Sequence, residues 1–144
     1  MRTLGLVLGI NLACLGVALA QETERPPLPA LSVSLGSALY PSAALKAELQ
    51  GRALVEFSID KKGRVDNATL LEAEPVGQFE STALTVVKKV RFTVPDDWRD
   101  SGATEQRYRL SVLFKLSPCE APACVAPVAH DGADDFLIVS AQRK

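Results

Sequence analysis

The stretch GRALVEFSIDKKGRVDNATLLEA, residues 51–73, decides the fold. Ala53, Val55, Phe57 and Ile59 alternate with Leu54, Glu56, Ser58 and Asp60. A repeat of two is the signature of a half-buried strand. Asp60 to Gly63 then forms a tight turn, with Gly63 supplying the positive φ such a turn needs. The chain returns over Arg64–Ala73, where Val65, Ala68, Leu70 and Leu71 break strict alternation and predict a bulge. Glu74-Pro75 ends this second strand.

Upstream, Tyr40-Pro41 opens a short helix, since proline suits a first helical turn. Leu45 and Leu49 share one of its faces, and Gly51 is expected to stop it. Downstream, Phe79, Ala83, Val86, Val87 and Val90 make one helical stripe. Glu80 near its start and Lys88, Lys89 and Arg91 near its end suit the helix dipole. Pro95 closes that element, and 96–104 reads as a polar loop carrying Trp98. The indole is expected either to pack over the core or to contact a partner. Tyr108, Leu110, Val112, Phe114 and Leu116 then alternate with Arg107, Arg109, Ser111, Leu113 and Lys115, a third strand closed by Pro118.

The order helix, strand, strand, helix, strand predicts an α+β domain over residues 40–116. The first two strands form a hairpin and the second helix is a crossover. A three-stranded antiparallel sheet of order 2-1-3 follows, with the first strand central. Both helices are expected on the face lined by Val55, Phe57, Ile59, Leu110, Val112 and Phe114. The face carrying Glu56, Ser58, Arg107, Arg109 and Lys115 is expected to be wet.

Composition narrows the function. The chain has 144 residues, with 16 Lys+Arg against 17 Asp+Glu and a formal net charge of −1. That balance argues against nucleic acid as a partner. There is one histidine, His130, so a multi-histidine metal site is excluded. No metal site and no cofactor are expected, and an enzyme is not. A hydrolase built on His130 with Asp131, Asp134 and Asp135 is the weighed alternative, against a solvated acidic turn.

Residues 1–20 have the form of a secretory signal peptide: Arg2, then an apolar run from Leu4, then Ala18-Leu19-Ala20 before Gln21. Cleavage after Ala20 and export are expected; an uncleaved anchor helix and a lipoprotein site at Cys14 are the other readings. Residues 21–39, with Pro26, Pro27 and Pro29, form a proline-rich leader. Removing residues 1–20 takes away Cys14 and leaves Cys119 and Cys124, read as one disulfide in the tail 117–144. So short a loop gives modest stabilisation, about 2 kcal/mol.

The last strand should end the sheet with a row of unpaired N–H and C=O groups. Such a margin accepts an extended peptide by strand addition. The partner-binding residues are therefore Arg107, Tyr108, Arg109, Leu110, Ser111, Val112, Leu113, Phe114 and Lys115. The same margin admits a homodimer. It also admits self-capping by the apolar run Phe136–Ser140, against which stands the reading that this run packs elsewhere.

These residues resemble a known family. Tyr40-Pro41 opening a helix, the strand from Gly51 to Phe57, the turn and exit from Asp60 to Asn67, Phe79-Glu80 in a helix ending at Arg91-Phe92, and the run Val112–Leu116 are together similar to the TonB C-terminal domain. The resemblance implies a periplasmic domain that grips an outer-membrane transporter's TonB box as a strand added to its last strand, here Arg107–Leu116. It implies a protein partner, either such a transporter or another envelope protein. The N-terminal segment departs from the family's energy transducers in lacking histidine and carrying a cleavage site. The reading is therefore a periplasmic binding module, with a membrane-anchored energy transducer as the alternative.

Overall fold

The structure is a computed structural model, and it describes residues 25–31, 39–120 and 124–143. The expected signal peptide, with its expected cut after Ala20, lies outside the described residues. Among the described residues no helix is long and apolar enough to cross a membrane.

Ten elements follow in order among the described residues. They are β1 (Ala30–Leu31), α1 (Ser42–Lys46), β2 (Gly51–Ile59), β3 (Val65–Glu74) and α2 (Glu80–Lys89). After these come β4 (Phe92–Thr93), α3 (Asp96–Asp100), a 3-10 turn (Ala103–Glu105), β5 (Tyr108–Ser117) and β6 (Asp135–Gln142). The fold is α+β. Its main sheet has four strands in the order β3-β2-β5-β6, not three, which corrects the expected architecture. β2 pairs antiparallel with β3 and β5, and β6 joins β5 in parallel. A separate two-stranded pair joins β1 to β4.

The hairpin turn is held by its aspartate. Asp60 Oδ1 accepts from the N–H groups of Lys62 and Arg64, both at 2.9 Å. Gly63 has φ +81°, and a Cβ there would stand 2.0 Å from the carbonyl oxygen of Phe92. β3 slips twice in register against β2, between Leu54 and Val55 and between Glu56 and Ser58. The broken alternation of Val65, Ala68, Leu70 and Leu71 is the sequence trace of those irregularities.

One long face of the sheet is covered by the helices and the other is covered in part. On one, Val55, Phe57, Ile59, Leu110, Val112 and Phe114 join Tyr40 and Ala44 from the first helical segment and Phe79, Ala83, Val86 and Val87 from the second in one core. Phe79 and Phe114 stack at 4.5 Å between centroids, with Tyr40 edge-on to both. Desolvation pushes the Tyr40 phenol up to about 12. The other face was expected to be wet. There Leu54, Ser111 and Leu113 are buried, along with His130 of the tail. The chain between β5 and β6 crosses this face, and that is how a parallel strand reaches the far side of β5.

Two local expectations also change. Gly51 does not end a helix; α1 closes at Lys46, and Gly51 opens β2. It must be glycine because a Cβ would lie 2.3 Å from the Glu74 carbonyl oxygen and 2.5 Å from the Phe79 ring. Residues 96–104, read as loop, contain α3 and part of the 3-10 turn. Both are too short to show an apolar stripe.

Gly51→Ala should therefore destabilise the fold by about 1–3 kcal/mol, because a backbone oxygen and a core ring must both move. The check is a lower urea midpoint with an unchanged slope.

Candidate partner-binding edge

β5 is the longest apolar strand of the sheet, and its side chains divide by face. Tyr108, Leu110, Val112 and Phe114 enter the main core and are fully buried. Ser111 and Leu113 are buried on the opposite face. Arg107 and Arg109, expected among the partner-binding residues, converge on Glu56. Arg107 Nε donates to Glu56 Oε1 at 2.9 Å and Arg109 Nε to Oε2 at 3.2 Å. The Arg107 hydrogen bond is the largest cause holding this carboxyl below its usual range. Arg107 also reaches the carbonyl of Asn67 at 2.9 Å, tying the start of β5 across β2 to β3.

The outward row of β5 backbone groups is not free, which corrects the expectation of an open margin. β6 runs beside it from Leu110↔Asp135 to Ser117↔Gln142. The apolar run Phe136–Ser140 is thus a cap on this strand. Leu137, Val139 and Ala141 turn toward the core, whereas Phe136 and Ile138 stay exposed.

Three clasps hold the cap. At its start, Asp134 Oδ2 accepts the N–H of Arg109 at 2.7 Å, and the Asp134 N–H donates to the Arg109 carbonyl at 2.8 Å. At its end, the N–H of Arg143 donates to the Ser117 carbonyl at 2.8 Å. Along the crossover, the N–H of His130 donates to Ser111 Oγ at 3.2 Å, and Ser111 Oγ lies 2.9 Å from His130 Nδ1. The hydroxyl accepts the first bond and the second joins it to the ring; Nε2, on the other side of the ring, is buried 3.5 Å from Glu72 Oε2. The histidine weighed as a catalytic group is thus spent on holding the crossover, and its serine partner is fully buried.

Cys119 and Cys124 are bonded to each other, with Cα atoms 5.2 Å apart. Gln50 connects this loop to the sheet. Its Oε1 accepts the N–H of Leu116 at 2.8 Å, and its Nε2 reaches Cys124 Sγ at 3.0 Å and the Val125 carbonyl at 3.3 Å. Trp98 is buried against Tyr108, with ring centroids 6.2 Å apart.

The cap had a trace in the sequence. Leu54 and Leu113 are apolar at positions that a wet face would fill with polar residues, and each calls for a cover.

Residues 37–116 match the family described as Gram-negative bacterial TonB protein C-terminal. The chain belongs to the TonB C-terminal family. It is 29% identical over 103 residues to Protein TonB of Yersinia enterocolitica, covering 67% of this chain and 37% of that relative. It is 26% identical over 102 residues to Protein TonB of Salmonella typhimurium, covering 68% and 39%. Against Protein TonB of Escherichia coli the figures are 27% over 78 residues, covering 54% and 30%. The chain therefore spans less than two fifths of the length of these relatives. The TonB C-terminal match ends with the apolar part of β5, so the disulfide, the crossover and β6 all lie beyond it.

Burial, then the Arg52 charge, hold the His130 pKa below the usual 6.5, against the opposing pull of Glu72, Glu74 and Asp131. A folded-state value below the unfolded one means that the stabilisation is complete above about pH 6.5 and is lost as pH falls through the folded value. His130→Gln, which cannot titrate, should be less stable than wild type at neutral pH. The gap should narrow on acidification toward about pH 5. Denaturation midpoints across that range give the measurement; a pH-independent gap contradicts the assignment.

Proposed function

We propose that this chain is a periplasmic protein-binding module of TonB-dependent transport. It engages an extended segment of an outer-membrane transporter, or of another envelope protein, by strand addition at Arg107–Lys115. The incoming segment competes with β6. One observation carries this reading: β5 already accepts an extended segment of 8 residues along its outer row. The pairing is made by backbone groups, which any extended segment possesses, and the pockets for alternate side chains add selectivity.

Competition sets the apparent affinity. A tethered strand acts at an effective concentration in the millimolar range. The affinity seen by a partner is reduced by the fraction of time the margin is open. β6 is the strand to displace because its core anchorage is light. Only Val139 and Ala141 are buried, and both are small side chains. The family relatives are named Protein TonB, which is the support for a transport context.

The test is a titration with TonB-box-like peptides, following the backbone amides of 107–116 in the full chain and in a chain ending at Ser117. The shorter chain should bind at least about tenfold more tightly. No amide shift in either protein at millimolar peptide would end this reading.

A further inference from the structure

A second surface lies at the opposite end of β5 from the disulfide. Residues 25–29, Arg-Pro-Pro-Leu-Pro, lie against Trp98 and Tyr108 before the chain enters β1. The indole Nε1–H of Trp98 donates to the Pro27 carbonyl at 2.9 Å. The hydroxyl of Tyr108 donates to the Pro26 carbonyl, also at 2.9 Å. Pro29 is buried, and Leu28 packs against the core. The Arg25 guanidinium stands 5.1 Å over the Tyr108 ring, donates to the Arg107 carbonyl at 2.7 Å and forms an ion pair with Asp134.

The chemistry of this contact is selective. A proline has no N–H, so a proline-rich segment offers only its carbonyl oxygens and its rings. Such segments favour the polyproline II form, whose carbonyls point outward. A surface that reads them needs flat aromatic platforms carrying N–H or O–H donors. Trp98 and Tyr108 supply both, and they meet the carbonyls of two successive prolines. Asp134 adds a charge that selects a basic residue ahead of the proline pair, and Tyr108 adds a cation–π contact to the same residue.

We propose that Trp98, Tyr108 and Asp134 form a recognition site for proline-rich segments in which arginine directly precedes two prolines. Residues 25–29 are its intrachain ligand, and the same pattern on a partner protein displaces them. The site meets the outer row of β5 at Asp134 and differs from it in using side chains at the start of the strand and no ladder hydrogen bond.

The chain holds a single tryptophan, so Trp98 fluorescence reports on the site directly. The test protein carries Arg25→Ser, Pro26→Gly, Pro27→Ser and Pro29→Ser, with cooperative unfolding as the check that it folds. A synthetic peptide of residues 23–31 should shift its Trp98 emission saturably, with a Kd of about 10–1000 μM. The same peptide with Glu in place of Arg25 should bind at least about tenfold more weakly, and a scrambled peptide should not bind. On the unmodified chain, the peptide at millimolar concentration should move the backbone amide resonance of Leu28, which leaves the site when the peptide enters it. This second measurement decides the matter if the variant does not fold. No saturable change in either protein overturns the site. Self-association of the unmodified chain that the leader substitutions abolish would assign the occupant to a second copy and overturn the partner.

Discussion

The constraint on which this structure depends is the outer backbone row of β5. A strand whose side chains are buried on both faces cannot leave its N–H and C=O groups without partners at little cost. β2 satisfies one side of β5 and β6 the other. Among the described residues, those after 117 serve the second pairing. The chain must cross a face of the sheet to arrive parallel, and the crossing is what buries Leu54, Ser111, Leu113 and His130. The disulfide and Gln50 fix where the crossing begins, and Asp134 fixes where it ends.

Asp134 also joins the two candidate surfaces. One oxygen holds the β5 backbone at the start of the cap, and the other holds Arg25 of the leader. The leader and the cap thus meet on one carboxylate. A protein that opened either one would change the surroundings of the other. By contrast, the surface cations Arg107 and Arg109 are tied to Glu56 and contribute mainly by aligning β2 with β5. Exposed ion pairs of this kind are weak sources of stability.

Much of the site was legible because its signals are local. Tyr108, Leu110, Val112 and Phe114 announce β5 by alternation alone. The two cysteines left after residue 20 announce their own pairing. Glu74-Pro75 and Pro95 mark ends by removing donors. Other features were hidden because their causes are distant in the chain. Gly51 reads locally as a helix stop, yet its glycine is required by the Phe79 ring and the Glu74 carbonyl. Trp98 reads as a lone aromatic in a polar loop, and its donor finds Pro27 across 71 positions. His130 looks like an isolated titratable group in a tail, and its serine partner lies 19 positions earlier.

The sequence was enough for the strands β2, β3 and β5, the stripe of α2, the hairpin turn and the family, because each is written in spacings of a few residues that backbone geometry converts directly into structure. It also marked Phe136–Ser140 as an apolar run seeking cover. Tertiary structure alone decided where that run goes, in which direction it pairs, and that it closes the margin it could have left open. Strand pairing is made by backbone groups common to all residues, so no local pattern of side chains names the partner of a strand. That choice belongs to the crossover, the clasps at Asp134 and Ser111, and the space left beside β5.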